Sequence, residues 1–188
     1  MRRLDLDLGH VYAITSASEL GEKKTLEGLA RCHQRGVRLV QFREKELLDA
    51  QEFFCTFLER CRNLGMLCLV NAHHTDLVEE ACGVHWRSHE LFSSPMSSKA
   101  NKLIGASCHN ETELRRAQGL GADFATLSPV LPTKSHPEAK PLGWARFACL
   151  VSRVSLPVFA LGGLSWEDLP KARGFGAQGI ALMRDAWG

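Results

Sequence analysis

Met66-Leu67-Cys68-Leu69-Val70 is apolar on every residue, and so is Val158-Phe159-Ala160-Leu161 further along the chain. A strand with one wet face alternates apolar and polar side chains. A strand that is apolar throughout is covered on both faces, the condition of a parallel sheet lying under helices. Outward from these two runs, six more short apolar stretches alternate with amphipathic segments. The predicted strands are Val11–Thr15, Arg38–Glu44, Met66–Ala72, Gly83–Arg87, Leu103–His109, Phe124–Val130, Pro157–Leu164 and Gly179–Arg184.

The intervening segments carry helix signatures. Ala50, Phe54, Phe57, Leu58 and Cys61 recur at helical spacing, and Gly65 follows as a C-terminal stop. Asn110 with Glu113, and Ser165 with Asp168, read as helix starts placed directly after strands. The first helix is expected over Lys24–Arg35, ending at Gly36, while the helices after strands three and four are short and irregular. Eight strands alternating with helices fit either a closed barrel or an open doubly wound sheet. The first strand runs into Ala13-Ile14-Thr15-Ser16-Ala17 instead of a Gly-x-Gly-x-x-Gly turn, which argues against a dinucleotide-binding sheet. The strand count favours an α/β fold of the (β/α)8 TIM-barrel type. One domain over residues 1–188 is expected, without a full eighth helix, since Gly188 follows strand eight so closely.

Composition narrows the partners. Lys and Arg number 23 against 21 Asp and Glu, a net charge of +2 that gives no electrostatic case for nucleic acid or a membrane surface. No apolar run reaches the roughly 18 residues of a membrane helix, and the N-terminus lacks a signal-peptide core. The seven cysteines are odd in number, show no Cys-x-x-Cys spacing and sit mostly in apolar segments. Reduced cysteines in a cytoplasmic protein are the expectation. Eight histidines do not suggest a transition-metal site, because His73 and His74 are adjacent and would point oppositely on a strand.

In such a barrel the chemistry belongs at the C-terminal strand ends. Strand two ends Gln41-Phe42-Arg43-Glu44-Lys45, where Arg43 and Lys45 project the same way and suit a phosphate, although the segment also reads as a solvated charge cluster. Gly162-Gly163 before Ser165 lets backbone N–H groups approach an anion, and it equally suits a tight turn. Arg184 would add charge beside it. Strand five ends at Ser107. Strand six leads into the proline-bounded, hydroxyl-rich Ser128-Pro129-Val130-Leu131-Pro132-Thr133-Lys134-Ser135-His136-Pro137, which reads as an ordered lid.

These segments resemble a known family. Gln41-Phe42-Arg43-Glu44-Lys45, Gly83-Val84-His85, Gly105-Ala106-Ser107, Pro132-Thr133-x-Ser135 and Ala160-Leu161-Gly162-Gly163-Leu164 are similar, in order and spacing, to thiamine phosphate synthases and the related TenI thiazole tautomerases. The loop after strand six looks closest to members fused to a Nudix hydrolase. The resemblance implies a (β/α)8 barrel that joins a pyrimidine pyrophosphate to a thiazole phosphate, giving thiamine phosphate and pyrophosphate. It implies Gln41 facing the pyrimidine, and Arg43, Lys45 and Asn71 on the pyrophosphate. Ser107, Thr133 and Ser135 would contact phosphoryl groups and the thiazole, with Gly162-Gly163 cradling the thiazole phosphate. Arg43, Lys45 and Ser107 are the catalytic candidates. A homo-oligomer and a Nudix hydrolase partner are both compatible with this resemblance.

The departures concern charge. The family's Mg2+ aspartate after strand three is Ala72, leaving Glu90 as the one substitute metal ligand near strand four. The family lysine after Thr-x-Ser is His136, and a serine near the end of strand eight is Arg184. The tautomerase histidine aligns with Pro129. Two alternatives therefore stand beside the synthase: a Mg2+-independent family enzyme on a related thiazole or thiamine phosphate, and a non-catalytic phosphate-binding barrel serving a Nudix hydrolase.

Overall fold

The computed structural model describes residues 7–44, 47, 49–93, 102–135 and 137–188, and of Thr75 only the backbone. Eight parallel strands close into a barrel in chain order: β1 (Val11–Ile14), β2 (Leu39–Phe42), β3 (Leu67–Asn71), β4 (Gly83–Trp86), β5 (Leu103–Cys108), β6 (Phe124–Leu127), β7 (Val158–Leu161) and β8 (Gly179–Leu182). The ring shuts where β1 pairs with β8, Tyr12 opposite Ala181. Every predicted strand is present, with ends trimmed by zero to three residues.

Helices cover the outside: α1 (Ala17–Leu20), α2 (Glu22–Gln34), α3 (Ala50–Asn63), α4 (Glu90–Ser93), α5 (Glu111–Gly119), α6 (Gly143–Val151) and α7 (Leu169–Gly174). α2 begins two residues earlier than the periodicity predicts. The short α1 ahead of it exists because buried Glu44 accepts the Ala17 and Ser18 N–H groups at 2.8 and 3.0 Å, satisfying donors that a helix start leaves unpaired. α5 starts as expected, with the Asn110 side chain accepting from the Glu113 N–H. β3 stops at Asn71, and Ala72–Leu77 forms a 3-10 stretch, so His73 and His74 lie on a turn and not on a strand.

Strand alternation makes two cores. Outward side chains pack under the helices, Phe42 of β2 against Phe54 and Phe57 of α3, all three fully buried. Inward ones, Leu39, Leu69, Leu103, Phe124, Phe159 and the Tyr12 ring, fill the barrel floor, each worth about 1.5–3 kcal/mol when fully buried. No helix follows β8 among the described residues. Trp187 turns inward instead: its Nε1 donates to the Ile14 carbonyl at 2.8 Å, and Arg31 and Cys32 of α2 bond the Trp187 and Ala186 carbonyls. Among the described residues no helix is long and apolar enough to cross a membrane.

Candidate active site at the barrel mouth

Above the apolar floor, the inward positions become polar. Gln41 follows Leu39 on β2, Asn71 follows Leu69 on β3, His85 follows Gly83 on β4, and Ser107 follows Leu103 and Gly105 on β5, each two residues along and hence on one face. Asn71 Nδ2 lies 3.4 Å from Gln41 Oε1, and Gln41 Nε2 lies 2.8 Å from the Tyr12 hydroxyl. That hydroxyl is 3.1 Å from His85 Nδ1, and His85 Nε2 is 3.0 Å from Ser107 Oγ. Tyr12, Gln41, Asn71 and His85 are buried; Ser107 is half-buried at the rim.

Gly105 makes this packing feasible. A Cβ there would sit 2.5 Å from His85 Nδ1 and 2.6 Å from Phe124 Cζ. Burial pushes the His85 imidazole down to about 3, with the Arg43 charge adding to the effect, so the ring is neutral at physiological pH. Burial likewise raises the Tyr12 phenol well above its ordinary value.

Arg43 stands at the end of β2, half-buried, its N–H donated to Thr15 Oγ1 at 2.9 Å. Burial lowers its pKa, and the charges of Glu44 and Glu19 oppose that. No carboxylate among the described residues forms an ion pair with it, and its Nη1 rests 3.9 Å from Met183 Sδ at the end of β8. Lys45, the second cation of the motif, lies outside the described residues, as does His136.

The other half of the rim is made of loops. Val130 and Leu131 N–H groups bond the Leu161 and Gly162 carbonyls at 2.9 and 3.0 Å, fastening the loop after β6 to the end of β7. Gly162 and Gly163 have φ of 101° and 69°, and a Cβ on Gly163 would lie 2.3 Å from the Pro132 carbonyl oxygen. The tight-turn reading of this pair therefore holds whatever else it does. Asp168 accepts from the Ser165 N–H at 2.9 Å, the helix start expected there. Thr133 Oγ1 is 3.4 Å from the Ser135 N–H. Arg184 grips Glu19 with two hydrogen bonds, at 2.7 and 3.1 Å, and reaches Ser135 Oγ at 3.2 Å. Arg184 is thus paired with Glu19 and tied to the loop after β6.

The residues do not fit the two-carboxylate Mg2+ site that the resemblance implies. Ala72 is buried and offers no ligand. Glu90 gives both its oxygens to Arg87, one to the N–H at 2.8 Å and one to the guanidinium at 2.6 Å. Among the described residues, no three His, Cys, Asp or Glu side chains gather as a metal site would require.

Two more inward-facing polar residues, Tyr12 and Thr126, join this mouth although the sequence expectations do not include them. Thr126 is the register neighbour of Ser107, and its buried hydroxyl has no hydrogen-bond partner among the described residues. The signal was available: Tyr12 and Thr126 are the polar residues of otherwise apolar strands, at positions whose parity matches the floor residues.

Known proteins resemble this chain in sequence and in fold. A family model described as thiamine monophosphate synthase matches residues 11–186. A protein of Aquifex aeolicus named "Putative thiamine-phosphate synthase 2" is 37% identical, covering 94% of this chain and 96% of that protein. The thiamine-phosphate synthase of Syntrophomonas wolfei is 31% identical, over 92% of this chain and 86% of that one. A solved structure of thiamine phosphate pyrophosphorylase from Pyrococcus furiosus shares the fold, with a TM-score of 0.77, 24% identity and coverage of 95% and 90%.

Proposed function

The chain belongs to the thiamine monophosphate synthase family, and from that premise we propose that it joins a pyrimidine pyrophosphate to a thiazole phosphate, making thiamine phosphate. In that reaction the carbon–oxygen bond to pyrophosphate breaks with its electron pair leaving on the pyrophosphate, and the thiazole nitrogen closes the new bond to the same carbon. The observation that carries the assignment is the convergence, at one mouth, of Arg43 without a carboxylate partner among the described residues and Ser107 held by His85. Charge develops on the departing oxygen, so a fixed cation and a fixed hydroxyl donor aimed there stabilise the transition state more than the ground state. Asn71 and Gln41 line the side of the mouth where the pyrimidine and its pyrophosphate would sit. Thr133 and Ser135 on the lid, with the Gly162-Gly163 turn, serve the thiazole phosphate.

A second reading draws on Ala72 and on the Glu90–Arg87 pair, which leave no ready carboxylates for a metal. It has the same barrel handling a related thiazole or thiamine phosphate without Mg2+. The test is pyrophosphate release from the two substrates, with Mg2+ varied from chelator-treated to millimolar. Synthase activity that needs unusually high Mg2+, and that Ala72→Asp shifts to lower Mg2+, supports the first reading. Binding of thiazole phosphate with no pyrophosphate release at any Mg2+ concentration supports the second.

A further inference from the structure

Side chains from β3, β2, β1, β4 and β5 form one unbroken hydrogen-bonded line, and a backbone group at its far end sets the direction of every hydrogen bond along it. The His73 N–H, which can only donate, lies 3.1 Å from Asn71 Oδ1. Asn71 must therefore present its NH2 to Gln41, whose Oε1 accepts. Gln41 then turns its own NH2 to the Tyr12 oxygen at 2.8 Å. With that oxygen accepting, the phenolic proton goes to its remaining neighbour, His85 Nδ1, at 3.1 Å. A neutral imidazole whose Nδ1 accepts carries its proton on Nε2, and Nε2 donates to Ser107 Oγ at 3.0 Å. Ser107 is left accepting from within the barrel, with its own proton free for the mouth. Any single reversal would set two donors or two lone pairs against each other in a buried site, at a cost of about 1–3 kcal/mol.

We propose that Asn71, Gln41, Tyr12 and His85 are positioning residues that fix His85 as the Nε2–H tautomer and commit the Ser107 hydroxyl as a donor to an anionic oxygen of the phosphorylated ligand. The identity of that anion rests on the synthase reading; the polarity of the line does not. Gly105 belongs to the same device, since a side chain there would displace the imidazole.

Nitrogen-15 NMR of the histidine-labelled protein tests the polarity without substrate. One buried histidine is expected as the Nε2–H tautomer, unchanged between pH 5 and 8 and assigned to residue 85 by its loss in His85→Gln. A Nδ1–H tautomer overturns the proposal. Tyr12→Phe removes the proton that holds Nδ1 and keeps the ring, so both tautomers should appear. In that variant kcat for pyrophosphate release should fall about 10- to 100-fold with KM little changed. If the role runs through Ser107, Tyr12→Phe adds nothing further to Ser107→Ala; a full additional loss on that background overturns it. Should Tyr12→Phe not fold, the tautomer of the unaltered protein still decides. Absence of any synthase activity alongside the Nε2–H tautomer refutes the synthase reading and leaves the line intact.

Discussion

The two halves of the mouth hold polar groups in opposite ways. From β1 to β5 they stand on strands, are buried up to the half-buried Ser107 at the rim, and satisfy one another through side chains, from Asn71 to Ser107. From β6 to β8, Thr126 apart, they stand on loops, are half-buried or exposed, and are tied by backbone bonds and by the surface pair of Arg184 with Glu19. Strands impose position within tenths of an ångström, because sheet register and core packing fix each Cβ; a loop fixes only what its own bonds reach. The first half therefore suits the bond-breaking step, where misplacement is costly. The second suits capture and release of a ligand.

Changes in the two halves should differ in kind and in size. The largest effect is expected in the strand half, from Arg43→Gln. It removes a cation that has no carboxylate partner among the described residues, and pyrophosphate release should fall about 100- to 1000-fold while the melting temperature barely moves. An Arg43→Gln enzyme of near-normal rate would mean that the strand half does not carry the chemistry.

Acid comes next. The His85 pKa in the folded chain, about 3, lies below the ordinary value near 6.5. Its neutral form is accommodated above pH 6.5 at no cost. As pH falls from 6.5 toward 3 the unfolded chain takes up a proton that the folded chain refuses, and stability drops by as much as about 1.4 kcal/mol per pH unit. Urea midpoints across that range should fall less steeply for His85→Gln than for the unaltered protein, and equal slopes would refute the assignment.

The smallest effect belongs to the loop half. Arg184→Ala loses an exposed pair worth under about 1 kcal/mol, so stability should hold. The lid, released from Ser135, should become more sensitive to protease between Leu131 and Pro141, and KM for thiazole phosphate should rise more than kcat falls. A kcat loss matching that of Arg43→Gln would erase the contrast between the halves.

The fold was legible because burial on both faces writes itself into consecutive apolar residues. Met66–Val70 and Val158–Leu161 showed it, and the other strands followed. Strand ends were less legible, since Gly162 and Gly163 continue the small, apolar run of β7 while their positive φ has already left the strand. The rim cluster was legible in part. Gln41, Asn71 and Ser107 announce themselves as polar residues at strand ends, yet the line joining them was hidden, because Tyr12 and His85 are 73 residues apart and meet only across the closed barrel. Nor could the sequence show that Arg184 faces Glu19, a neighbour 165 residues away.

Trp187 carries one more consequence. Its indole bonds β1 across 173 residues of chain, beside the seam where β1 and β8 pair. A nascent chain holding seven strands has two bare sheet edges, each able to recruit a neighbouring chain. The seam cannot close before β8 has been made, and Trp187, five residues beyond that strand, adds its bond to β1 later still. Synthesis of this barrel thus includes an interval in which every strand but one is present and the ring is still open, and that interval is when a chaperone would matter most.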